Sequence, residues 1–127
     1  MPAQILSFRD LRVYQKAFNL QQAVFQISKN WPREEKFSLT DQVRRASRSI
    51  GANLAESWAK RDYPAHFMSK LTDADGELQE TSHWLSTAAA CEYITTDEHV
   101  KLQTCIEEIG KKLGKMMSMP EKFSRDN

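Results

Sequence analysis

Residues that interrupt helices are scarce in this chain: four Gly and four Pro among 127 residues. That scarcity argues against a loop-rich or all-β chain. Cysteine is scarcer still. Cys91 and Cys105 are the only two, and neither sits in a C-x-x-C pair. Without an export signal the expected state is two reduced thiols rather than a disulfide. The opening Met1-Pro2-Ala3-Gln4-Ile5-Leu6-Ser7 has no basic head followed by an apolar stretch, so no secretory leader is read there. No apolar run approaches the roughly 18–20 residues that span a bilayer. The expected compartment is the cytoplasm, with no membrane partner. Neither sign of charge is in excess: 18 Lys and Arg against 17 Asp and Glu give +1. That balance excludes a uniformly basic nucleic-acid binder.

The motifs of common enzymes are missing too. There is no G-x-G-x-x-G, P-loop, G-x-S-x-G or H-E-x-x-H. His66, His83 and His99 are scattered, and the Glu-x-x-His element of di-iron bundles occurs once, as Glu80-x-x-His83, where two copies are needed. Asp73, Glu77 and Glu80 lie along one side of a helix, and the plain reading is a solvated or ion-paired face. The expectation is a non-enzyme with no metal and no cofactor.

What is present is helical periodicity, in four stretches. Val13, Ala17, Leu20, Val24 and Ile27 repeat at 4-3-4-3, beside a second row of Leu11, Tyr14, Phe18 and Phe25. The two rows predict a wide buried face. Trp31-Pro32 closes this first helix. A Ser38/Asp41 capping box is expected to open the second, whose stripe is Leu39, Val43, Ala46, Ile50, Leu54 and Trp58. Ser47, Gly51, Ala55 and Ala59 form a row of small residues beside it, which predicts close helix packing. Asp62 is expected to cap the third helix, with Pro64 in its first turn. Phe67, Leu71, Ala74, Leu78, Thr81, Leu85 and Ala88 keep heptad spacing along it. A Thr95/Glu98 box starts the fourth, which carries Leu102, Ile106, Ile109, Leu113 and Met116 until Pro120. The expected helices are about 11–29, 39–61, 63–91 and 96–118, with a frayed tail over 120–127. Four such helices joined by short connections predict one all-α domain over 1–127, an antiparallel up-and-down four-helix bundle with crossing angles near 20°.

Charge is unevenly distributed along these segments. Residues 1–37 carry six positive and three negative groups, and 38–61 carry five against two. Residues 62–91 hold one positive and five negative, and 92–127 six against seven. A basic second helix is thus followed by an acidic third. The two can pair inside one bundle or between subunits, where a head-to-tail contact closes a ring if the rotation allows. Trp58 and Trp84 are expected to be exposed and to supply apolar area to such a contact. Arg44, Arg45, Arg48, Lys60 and Arg61 are the candidate nucleic-acid contacts. Arg44 and Arg45 look more structural, because they neighbour the apolar stripe, whereas Lys60 and Arg61 look freer to meet phosphate. Asn53 and Glu56, with Glu80, sit near apolar stripes and are expected to form a buried polar network served by the arginines.

Four segments carry a resemblance. Phe8-Arg9-Asp10-Leu11-Arg12-Val13-Tyr14-Gln15-Lys16-Ala17 is similar to the opening of the four-helix-bundle family encoded in intervening sequences of bacterial 23S ribosomal RNA genes. Phe37-Ser38-Leu39-Thr40-Asp41-Gln42-Val43-Arg44-Arg45-Ala46 and Ser49-Ile50-Gly51-Ala52-Asn53-Leu54-Ala55-Glu56 resemble its central signature, and Gly76-Glu77-Leu78-Gln79-Glu80-Thr81 its third-helix motif. The likeness spans about residues 8–117. It implies a cytosolic antiparallel bundle that assembles as a homopentamer. It also implies kinship with accessory proteins of diversity-generating retroelements, which present a basic surface to nucleic acid and a reverse transcriptase. Gly51 and Ser57 depart from the family's usual Pro and Gly, and Gly76-Glu77 from its Gly-Ser pair. Two functions follow as expectations: RNA association through helix two, or a pentameric protein scaffold without a nucleic-acid ligand.

Overall fold

The computed structural model describes residues 4–124. Ser7 and Asp10 form a reciprocal capping box around a short 3-10 turn, Phe8–Asp10, which leads into α1, Arg12–Ile27. Then follow α2, Asp41–Ala59, α3, Pro64–Ala90, and α4, Thr96–Ser118. Each helix packs on its neighbours in sequence, α4 closes on α1, and the α2–α3 contact is the most extensive. The result is the expected all-α four-helix bundle.

The heptad and 4-3 patterns place the core. All seven stripe positions of α3 and all five of α4 are buried. In α1 the first row from Val13 to Val24 is buried, with Ile27 half-buried. The second row is not a wide buried face. Leu11 is buried, Tyr14 and Phe25 are half-buried, and Phe18 is exposed. The first row faces the core, while the second meets its neighbours only in part, through Leu11 and through the Tyr14 ring at Gly51. Of the small-residue row in α2, Ser47 and Gly51 are buried and Ala59 is exposed. A Cβ at Gly51 would meet the Tyr14 ring at 3.4 Å, so this is the point of close approach to α1.

Two expected caps are absent, for local reasons. Residues Lys36–Thr40 form one π-helical turn running directly into α2. The backbone is already helical before Asp41, so no start remains for Ser38 to cap. Ser38 instead donates to Glu35 at 2.8 Å, and Asp41 accepts from Lys36 at 3.2 Å. At α3 the cap position is Tyr63, without a side-chain cap bond, and Pro64 opens the helix. Asp62 lies one residue too early. The Thr95/Glu98 box does form, with Thr95 accepting from the Glu98 N–H at 3.0 Å and Glu98 accepting from the Thr95 N–H at 2.8 Å.

The tail is not frayed as far as it is described. Pro120–Lys122 makes a 3-10 turn, and the Phe123 ring packs 5.7 Å from Phe67. Residues 125–127 of the expected tail lie outside the described residues. Trp58 and Trp84 are half-buried rather than exposed. The exposed large side chains include Phe37 at 75%, Phe18 and Tyr63. Among the described residues no helix is long and apolar enough to cross a membrane.

Candidate nucleic-acid interface

Helical spacing puts Asp41, Arg44, Arg45, Arg48, Ser49 and Ala52 on one shallow strip of α2. The apolar stripe on the other side of α2 is turned into the core, so these side chains face outward. Arg44 is half-buried and donates its Nε–H to Ser28 at 2.8 Å. Its guanidinium lies 4.9 Å from the centre of the Phe25 ring, Arg48 lies 5.8 Å from the same ring, and Lys29 lies 4.9 Å from it. Phe25 thus gathers three cations, an attraction of ring quadrupole for positive charge. Its place in the second apolar row of α1 gave no sign of that role, although Lys29 at i+4 is a readable one.

Arg45 is exposed, and so is Arg48. Neither has an ion pair within 4.0 Å among the described residues. Among the described residues the strip's one acid, Asp41, is engaged by Lys36. Arg44 is the structural arginine, as its position beside the apolar stripe implied, whereas Arg45, expected to be structural too, is exposed and makes no ion pair within 4.0 Å among the described residues. Arg61 reverses its expectation: its guanidinium stacks 4.1 Å from the Trp58 ring and donates to the Trp58 carbonyl at 2.7 Å. Lys60 is exposed at the end of α2, away from the arginine strip.

Asn53, Glu56 and Glu80 do not form one buried network. Asn53 donates to the Ser49 carbonyl of its own helix at 2.9 Å. Glu56 is exposed and pairs with Lys70 at 2.6 Å, which raises the Lys70 pKa. Glu80 is exposed beside Asn53, Thr72, Asp73, Gly76 and Glu77 in a shallow acidic hollow between α2 and α3. Glu77 there is held above the ordinary carboxylate range, first by partial burial, then by Glu80 and Asp73, with Arg45 opposing. The arginines therefore serve none of the three as hydrogen-bonded partners.

Among the described residues no group of three His, Cys, Asp or Glu is placed to hold a metal ion. His83 packs edge-on against Trp84 at 4.8 Å. Cys91 and Cys105 are free thiols, the second pushed up in pKa chiefly by burial.

Fold and strip together define a small up-and-down four-helix bundle with arginines along the outer side of its second helix. The family model described as 23S rRNA-intervening sequence protein matches residues 9–115, and the chain belongs to that family. A solved structure from Bacteroides thetaiotaomicron, titled a protein with unknown function from the S23 ribosomal protein family, is similar at 30% identity with a TM-score of 0.75. The match covers 84% of this chain and 95% of that one. Comparison with curated proteins gives no match.

Proposed function

We propose that this chain is a non-enzymatic, cytoplasmic, oligomeric protein that contacts RNA through α2. One observation carries the reading: among the described residues Arg45 and Arg48 stand exposed with no ion pair within 4.0 Å, on a strip whose one acid, Asp41, is paired with Lys36. Cations so placed release counterions when they meet phosphate, and repetition of the strip in an oligomer multiplies a modest affinity. Filter binding with a structured RNA at two salt concentrations tests it. Salt-dependent binding at micromolar protein is expected. Arg45→Glu with Arg48→Glu should weaken it and reduce the salt slope by about 1 for each phosphate that is no longer neutralised. Absence of salt-dependent binding overturns the proposal.

A second reading, a homopentameric scaffold without nucleic acid, is favoured by the exposed rings of Phe18 and Phe37 and by the acidic hollow lying open beside the basic strip. Partners retained in a pulldown after nuclease treatment support the scaffold, and partners released by it support RNA. Light scattering decides the assembly: a mass near 14.7 kDa refutes a ring, and about five times that supports the pentamer.

A further inference from the structure

The seam between α1 and α4 carries a groove unrelated to the arginine strip. Leu11, Val13, Met116, Met119 and Phe123 make an apolar floor, and Arg12, Lys112, Lys115 and Lys122 rim it. Of the floor, Leu11, Val13 and Met116 are buried in the bundle, and Phe123 is braced on Phe67, so the groove is preformed. No acid lines it. None of the four cations has an ion pair within 4.0 Å among the described residues, and Glu108, one turn before Lys112 on α4, is engaged by Lys16 at 2.9 Å.

The position of Arg12 adds a physical argument. It is the first residue of α1, where the helix dipole disfavours a cation. The first turn has no acidic residue, and the cap residue Leu11 supplies no side-chain acceptor. Lys115, in the last turn of α4, complements its own helix dipole; Arg12 has no such role. An anion at this rim would satisfy both Arg12 and the uncapped helix start.

Size selects the kind of anion. The groove holds about 270 Å³, below the range of roughly 300–1,000 Å³ in which small-molecule clefts bury most of their ligand. It is sufficient for one or two large side chains projecting from a longer partner. Met116 and Met119 give a floor that adapts to the shape of such anchors. We propose that this groove docks an amphipathic peptide segment of a partner protein, with one or two large apolar anchors flanked by Asp or Glu. The anchors enter the floor between α1 and α4 while the carboxylates meet Arg12, Lys112, Lys115 and Lys122. Such helix-in-groove recognition takes its affinity from the anchors and its selectivity from the charged rim.

The test is fluorescence anisotropy on the full chain with a labelled synthetic peptide of about three helical turns, carrying Leu and Phe anchors on one face and Glu beside them. Saturable binding that weakens with salt is expected, together with a loss of about tenfold or more when Glu is replaced by Gln in the peptide. Lys112→Glu with Lys115→Glu should cause a similar loss. Lys115→Gln with Lys122→Gln, both at exposed positions, is a milder second variant, and thermal melts verify that each variant is folded. Equal binding of the Glu and Gln peptides overturns the proposal, as does equal binding by the folded variants. It is also overturned if dodecanoate saturates the groove while the peptide does not bind, which would mark an amphiphile site. A fall in light-scattering mass on Lys112→Glu with Lys115→Glu overturns it as well, because the groove would then be a subunit contact.

Discussion

Glu77 shows how a single side chain can report the electrostatics of the α2–α3 surface. Burial, Glu80 and Asp73 raise its pKa in the folded chain above its value when unfolded. The stabilising contribution of such a group is complete below the unfolded pKa and is lost as pH rises through the folded one. At neutral pH Glu77 is therefore a small net cost. Glu77→Gln, which keeps the protonated shape without the charge, should raise the Tm at pH 7 by about 1–2 °C, a few tenths of a kcal/mol for a half-exposed position. The gain should vanish near the acid end of the carboxylate range, where wild-type Glu77 is itself protonated. Melting curves across that window check both halves. The opposite case is Glu35, whose pKa is lowered by hydrogen bonds from Ser38 and then Tyr93, while the Tyr93 hydroxyl is pushed up to about 12 by the same contact. Its contribution is present above the unfolded carboxylate pKa and fades as pH falls through the lowered one. The Asp73–Glu77–Glu80 row was readable from residue order, but the Tyr93 contact was not, since Glu35 and Tyr93 are brought together at 2.8 Å by two different connections between helices.

For whole elements, the legible part was the periodic part. Heptad spacing placed every core residue of α3 and α4, because burial on a helix depends on angle and angle follows from spacing. Helix starts were legible only where a motif had no local competitor. Thr95/Glu98 formed, whereas Ser38/Asp41 was displaced by Glu35 and Lys36. The Ser7/Asp10 box at Phe8–Asp10 has the same spacing and could have been read. The contrast makes a paired prediction. Thr95→Ala should cost about 1 kcal/mol and speed hydrogen exchange in the first turn of α4. Ser38→Ala, which removes only an exposed bond to Glu35, should stay within about 0.5 kcal/mol. Denaturant unfolding of both variants measures the difference. At the candidate interface the pattern put Arg44, Arg45 and Arg48 on one strip of α2 but misjudged which arginines have a neighbour to engage. Whether Arg45 or Arg61 is free depends on the neighbouring ring or carbonyl that each can reach in three dimensions, as the stacking of Arg61 on Trp58 shows.

For the whole molecule, the near-neutral total hides an arrangement that the segment counts only half describe. A basic α2 followed by an acidic α3 suggests pairing within the bundle, yet the one ion pair linking these helices among the described residues runs the other way. It joins the lone lysine of α3, Lys70, to Glu56 of α2. Arg45 and Arg48 of α2 and the Asp73–Glu77–Glu80 hollow beside them form two adjoining strips. A second copy can set its acids against these arginines; face to face the contact closes a two-fold dimer, and where one copy's acids meet the next copy's arginines head to tail it can close a ring. If assembly uses the strips, Arg45→Glu with Arg48→Glu should lower the light-scattering mass, and Asp73→Lys with Glu80→Lys should lower it as well. An equimolar mixture of the two variants should regain mass, because each supplies the charge that the other has given up. An oligomer held by Phe18 and Phe37 alone would keep its mass in both variants. If the arginine strip serves RNA and not self-contact, the first variant loses RNA binding while its mass is unchanged.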